Sequence, residues 1–359
     1  MIASKFLASA QQLSQRAVLV IFSFETYGEL PMNLDLSLSC LPSDRTYPLF
    51  DGHIKPSGIN LNVLAFGDDD PYWSWRKTRN NHFDISEMSI SNYLIQRDKG
   101  NHDLIALPVF LSRGFRHANL FVNPSSGIKS PKDLKGKKVG ISFYDPTTPV
   151  WVRGFLTHQY GVTPNQVSWY LYELSLKGSE LSLPTDIEIH FLDRKDSLEK
   201  LLVNGDIDAL INAGQPPRLF QESDPRIVSL FSDFHSEELN FYKQFKTFPI
   251  IHTVAVKRKI YEKYPWVAQS LYDAFCKAKQ LAPLSSMALD GHLKYSLPLL
   301  HAYVEEAQDV FGKDPWVYGV SKNRLEIETL MRYCHEQGLT QPGLTLEQAF
   351  VSDLNEQLY

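Results

Sequence analysis

Cysteine is scarce. The chain has 3 in 359 residues, Cys40, Cys276 and Cys334, far apart and in no CxxC pair. Such a set excludes a disulfide framework and a cysteine-built structural zinc site, and it suits a reducing compartment. Positive charge is not in excess. Lys and Arg total 36 against 41 Asp and Glu, a formal net charge of -5, so nothing in the balance argues for nucleic acid. No apolar run is long enough to span a membrane, and Ala17 to Phe24 near the start is about half the length needed. The glycine patterns of phosphate loops, dinucleotide sites and nucleophile elbows are missing, and so is HExxH. His, Asp and Glu do not gather at ligand spacing, so no metal and no cofactor is expected.

What is present is an ordinary globular balance, 43% hydrophobic and 21% charged, in a chain long enough for two domains. Aromatics reach 12%, with 6 Trp, 17 Tyr and 21 Phe. They serve either core packing or a pocket for a flat ligand. Lys5 and Arg16 precede a short apolar run, Ala17 to Phe24, followed by Glu25-Thr26-Tyr27-Gly28-Glu29, a poor cleavage site. Residues 1–31 therefore read as an N-terminal extension, with Met32 a candidate start. The expected location is cytoplasmic.

Strands and helices alternate along the chain, the pattern of an α/β fold with mostly parallel sheets. Leu34, Leu36 and Leu38 alternate with polar residues, and Asn60–Leu64, Phe83–Ile85, Leu104–Phe110, Leu120–Val122, Lys138–Ile141 and Ile207–Ile211 read as further strands. Ser86 is expected to cap a helix. Ser130-Pro131 with Gly136, and Thr148-Pro149, carry cap-plus-proline signals. Asp196 with Glu199 resembles a capping box before a helix ending near Gly205. In the helical C-terminal third, Pro265 opens a helix with Val267, Leu271, Phe275 and Ala278 inward, and Ser321 caps one with Leu330, Met331 and Cys334 inward. Residues 174–184, rich in Ser, Leu and Gly, read as a loop.

Several segments carry a resemblance. Asp44-Arg45-Thr46-Tyr47-Pro48-Leu49-Phe50-Asp51-Gly52 precedes Pro56-Ser57-Gly58-Ile59 and Phe83-Asp84-Ile85-Ser86-Glu87-Met88-Ser89. Ser112-Arg113-Gly114-Phe115-Arg116-His117, Val150-Trp151-Val152-Arg153-Gly154, Phe248-Pro249-Ile250-Ile251-His252-Thr253-Val254 and Asp314-Pro315-Trp316-Val317-Tyr318-Gly319 follow. From about Leu34 to Phe350 the chain resembles the 4,5-dihydroxyphthalate decarboxylase family, relatives of transporter solute-binding proteins. Two segments depart from that family's pattern, Tyr144–Pro149 and Asn212–Pro217. The resemblance implies a two-lobed, type II periplasmic-binding-protein-like fold. Lobe one would hold residues 33–125 plus 250–359, lobe two residues 126–249, with the ligand in the cleft between them.

It also implies a cofactor-independent decarboxylase acting on a dihydroxylated aromatic acid. For such chemistry His117, His252 and Glu87 are the proton-transfer candidates. The bland alternative for each histidine is a buried, hydrogen-bonded ring, and for Glu87 a contact with a helix dipole. Arg113, Arg116, Arg153 and Arg45 are candidates to hold carboxylates or ring hydroxyls, or else form ordinary ion pairs. Ser86, Ser89 and Thr148 could present donors at strand-to-helix turns, or simply cap. Trp151 and Tyr318 could stack on a flat ring, or fill the core. The expected partner is a small aromatic carboxylate, with neither nucleic acid nor membrane, and a homo-oligomer is an option. The alternative function is a solute-binding protein or sensor for an aromatic carboxylate without catalysis.

Overall fold

A computed structural model describes residues 33–65, 82–175, 181, 183–212, 217–282, 298–352 and 354–356. The extension at 1–31, part of the 174–184 loop and most of the Asn212–Pro217 departure lie outside the described residues.

The first sheet begins with β1 (Leu34–Cys40), β2 (Ile59–Ala65), β3 (Ile85–Ser89) and β4 (Leu104–Arg113). The chain then builds a second sheet from β5 (Leu120–Val122), β6 (Lys138–Phe143), β7 (Ser168–Glu173), β8 (Ile189–Phe191), β9 (Ala209–Ile211) and β10 (Val228–Ser229). It returns as β11 (Ile250–Lys257), which completes the first sheet in the order β2-β1-β3-β11-β4. The second sheet runs β10-β5-β9-β6-β7-β8. Strands joined through helices pair in parallel, as β1 does with β2 and β3, and β6 with β7 and β9. The returning β11 runs antiparallel to both β3 and β4. Leu120–Val122, assigned to lobe one by sequence, pairs with β9 and β10 and so belongs to the second sheet.

Seven helices matter to the argument. They are α1 (Ile90–Asp98), α2 (Thr147–Tyr160), α3 (Leu198–Asn204), α4 (Phe234–Phe245), α5 (Trp266–Gln280), α6 (Leu300–Phe311) and α7 (Arg324–Glu336). Their sequence signals show why they start and stop. Ser197, beside the expected Asp196, accepts from the Lys200 N–H to cap α3, and Gly205 closes it in the left-handed region. Val267, Leu271, Phe275 and Ala278 are the buried stripe of α5. Four expectations shift. Ser321 lies in a 3-10 turn, and α7 begins at Arg324 with Asn323 at its N-cap position. Ser86 lies inside β3, and Ser89 caps α1 instead. Helix α2 begins at Thr147 after Pro146 rather than at Thr148. The Ser130 signal yields a single 3-10 turn, Pro131–Leu134, with its capping box intact.

One apolar core cluster runs through both lobes, and a smaller one sits under α3. The lobes meet where α2 lies against α7 and β11. Trp151 donates its indole N–H to the Ile250 carbonyl at 2.8 Å. Gly154 faces the Tyr333 ring so closely that a Cβ there would overlap it. A glycine in mid-helix is helix-weakening, and here it allows the close approach of two helices.

Candidate active site at the β4 bulge

The site is built on a fault in the first sheet. β11 pairs His252 with Ser112 and then Val254 with Leu107, so Pro108 to Leu111 bulge out opposite Thr253 alone. Pro108 offers no N–H to a ladder, which favours such a break. The freed carbonyls find other donors. Pro108 accepts from the Gly319 N–H at 2.8 Å, and Phe110 from the Trp316 indole at 3.0 Å. Leu111 accepts from the Arg45 guanidinium at 3.2 Å. His252 lies on β11 beside this break, and its register with β3 runs on without a shift.

Glu87 stands on β3 opposite Val254 and is 1% exposed. One carboxylate oxygen accepts the Leu41 N–H at 2.9 Å, at the end of β1. The other lies 2.7 Å from His252 Nδ1. A carboxylate oxygen accepts, so in this contact Nδ1 is the donor and Nε2 is the ring nitrogen left clear of Glu87. The His252 side chain is 29% exposed, and Nε2 has no hydrogen-bond partner among the described residues. A buried carboxylate thus orients a histidine that solvent or ligand can reach. Cys40, buried at the end of β1, is no thiolate here, because burial and then the Glu87 charge push its pKa well up. Tyr318 is also buried, its hydroxyl unpartnered and its pKa pushed up by burial.

The other candidates divide sharply. Arg45 is joined to the bulge by its hydrogen bond to the Leu111 carbonyl. Asp44 holds it at 2.6 Å, and its guanidinium lies over the Trp316 ring at 4.2 Å. Arg113 is buried and spent on the Phe248 and Val317 carbonyls and on Asn323. Burial lowers its pKa to about 10, so it keeps its charge at neutral pH. Arg153, 1% exposed, donates to Gln337 and the Tyr144 carbonyl and stacks on the Tyr144 ring. It serves the contact of α2 with α7. Arg116 donates to the Phe115 carbonyl, and its charge is opposed by Glu238, whose pKa burial raises to about 7.

His117 is not brought to Glu87. Its ring stacks on Phe155 at 4.1 Å, with the edges of Phe231 and Phe241 nearby. One nitrogen is 3.3 Å from Gln159, and Nδ1 is buried without a partner. Burial lowers its pKa to about 4, so it is neutral at pH 7.

Of the hydroxyl candidates, Ser89 reaches across to Thr147 at 2.8 Å, which joins the N-termini of α1 and α2. Ser91 joins the same cluster and donates to the Asp145 carbonyl at 2.6 Å. Ser86 is buried with its hydroxyl on the Glu87 carbonyl, and Thr148 is buried one residue past the contact. Trp151 is core, fixed to β11. Sequence reading missed Ser91, Leu41 and Asn323. Leu41 and the bulge carbonyls act through backbone, which leaves no residue-type signal.

Among the described residues no group of His, Cys, Asp and Glu could hold a metal ion. Cavity size does not mark the site. A cavity of about 650 Å3 is lined by Asp35, Ser37, Asn60 and Asp84, at the opposite end of β1 from the histidine pair. The pair is the stronger guide, because it places chemistry and not merely space.

Residues 75–263 match the family model for the periplasmic substrate-binding protein of phosphonate ABC transporters. A periplasmic aliphatic sulphonate binding protein from Escherichia coli is 14% identical, with 88% of each chain covered and a TM-score of 0.44. A 4,5-dihydroxyphthalate decarboxylase of Pseudomonas putida is 31% identical over 214 residues, 58% of this chain and 82% of that protein. A 4,5-dihydroxyphthalate decarboxylase of Comamonas testosteroni is 32% identical over 321 residues, 88% of this chain and 96% of that protein. On that identity and coverage, the chain belongs to the 4,5-dihydroxyphthalate decarboxylase family, with the α/β scaffold of the substrate-binding proteins.

Proposed function

We propose that this protein decarboxylates a dihydroxylated aromatic acid of the 4,5-dihydroxyphthalate kind, with His252 and Glu87 as its proton-transfer pair. The observation that carries this is the 2.7 Å contact between a buried carboxylate and a part-exposed imidazole at a sheet bulge.

The chemistry suits such a pair. In the substrate each carboxylate is para to a ring hydroxyl. His252 Nε2 takes the hydroxyl proton, and the phenolate left behind pushes electron density to the carboxylated carbon. His252, protonated at Nε2, gives that carbon its proton. The ring-to-carboxylate bond then breaks, carbon dioxide leaves, and its electron pair restores the aromatic ring. The ring is its own electron sink, so pyridoxal or thiamine is not called for. Glu87 holds the imidazole ring and stabilises its cation while it carries the proton. Arg45, tied to the bulge through Leu111, is the cation suited to the carboxylate that stays.

The test is carbon dioxide release by purified protein with 4,5-dihydroxyphthalate and a panel of hydroxylated benzoates and phthalates. The expected result is turnover that produces the monocarboxylate. The match to a substrate-binding family model supports a second reading, a binding protein or sensor without turnover. Saturable binding with no carbon dioxide release across the panel would decide for it.

A further inference from the structure

Two residues that collar the bulge, Arg45 and Trp316, also line a separate chamber of about 150 Å3. Neither Glu87 nor His252 lines it. Its walls are largely apolar, with Ala282, Val304, Ala307, Pro315 and the Trp316 ring. An apolar cavity of about 150 Å3 is enough to take up one benzene ring.

The charges around the chamber are uneven. Arg45, Lys279 and Lys313 face Asp44 and Asp314. Asp44 pairs with Arg45, and Asp314 with Lys279. Lys313 is exposed and has no ion-pair partner among the described residues. Among the described residues one positive charge is therefore left over, and it lies on an exposed residue rather than in the apolar interior. A ligand that buries a ring and keeps one negative charge in water matches this layout. A second carboxylate would have to enter apolar space or face the two aspartates, at a desolvation or repulsion cost.

We propose that this chamber is a second ligand site, which takes a single aromatic ring bearing one carboxylate. The ring packs against Trp316 and the carboxylate turns to Lys313. The site is distinct from the histidine pair but shares Arg45 with the bulge beside it. Resting on the proposed reaction, one consequence follows: the product, a ring left with one carboxylate, belongs to this ligand class, so the chamber can report product to the bulge through Arg45.

The experiment is calorimetric titration of the full chain with benzoate and with phthalate. Wild type and His252→Gln are expected to bind benzoate alike, and phthalate, which the proposed active site also takes, is expected to keep its wild-type affinity in Lys313→Glu. Ala307→Trp, which fills the chamber, and Lys313→Glu, which reverses the surplus charge at an exposed position, are each expected to weaken benzoate by at least about tenfold. If Ala307→Trp does not fold, Lys313→Glu decides alone. No benzoate binding to wild type, wild-type benzoate binding by Lys313→Glu, or loss of benzoate binding in His252→Gln would overturn the proposal. Binding is read without turnover, so a failed decarboxylase reading and a failed chamber are told apart.

Discussion

His252 and His117 occupy opposite environments within one molecule. His252 sits on a strand beside a buried carboxylate and remains 29% exposed. His117 sits among Phe155, Phe231 and Phe241, 1% exposed, with one nitrogen unpartnered. The first ring has a carboxylate within hydrogen-bond reach. The second cannot afford a proton, and burial lowers its pKa to about 4. The difference teaches that a histidine's chemistry is set by what lies behind its ring. In the proposed reaction the carboxylate makes His252 a proton carrier, whereas stacked rings make His117 an aromatic spacer.

The largest expected effect tests the carboxylate behind His252. Glu87→Gln keeps the shape and can still accept the Leu41 N–H, but it removes the charge. Its kcat in carbon dioxide release is expected to fall by about 10²–10⁴, with substrate binding retained by calorimetry. A wild-type kcat would remove Glu87 from the proton-transfer account.

The next effect concerns the contact that holds α2 against α7. Gly154→Ala must displace the Tyr333 ring and is expected to cost about 1–3 kcal/mol, read from the denaturant midpoint. Unchanged stability would show that the helices part at little cost.

A smaller effect tests the environment of His117. Its folded pKa of about 4 lies below its ordinary value of 6.5, so the unfolded chain takes up the proton first as pH falls. The stability associated with a neutral ring is present above about pH 6.5 and lost as pH falls toward about 4. His117→Phe is expected to flatten stability over that window in urea titrations. An unchanged slope would mean that the ring titrates normally. Least of all, a chelator is expected to leave turnover as it was, because the proposed step draws on side chains and the substrate ring. A chelator-sensitive rate would contradict that.

Much of the fold was legible because its signals are local. Ser130 with Pro131, Gly205 and the Val267–Ala278 stripe each mark an element through caps or periodicity. Ser86 misled because a serine before polar residues looks like a cap, whereas here β3 continues to Ser89. The candidate site was legible in residue type, since Glu87 was expected to act with His117 or His252, but not in which histidine it meets. Glu87 and His252 are 165 residues apart, and only the return of β11 beside β3 joins them. Arginines were the weakest guide. Arg113 and Arg153 carry the chemistry of carboxylate binding but spend it on carbonyls and amides.

The two histidines give the most direct test when replaced in parallel. Carbon dioxide release from 4,5-dihydroxyphthalate would be measured for His252→Gln and His117→Gln against wild type, under saturating substrate. The account predicts that His252→Gln loses about 10²-fold or more in kcat while His117→Gln stays near wild type. Near-normal turnover by His252→Gln, or a collapse confined to His117→Gln in a folded protein, would contradict it.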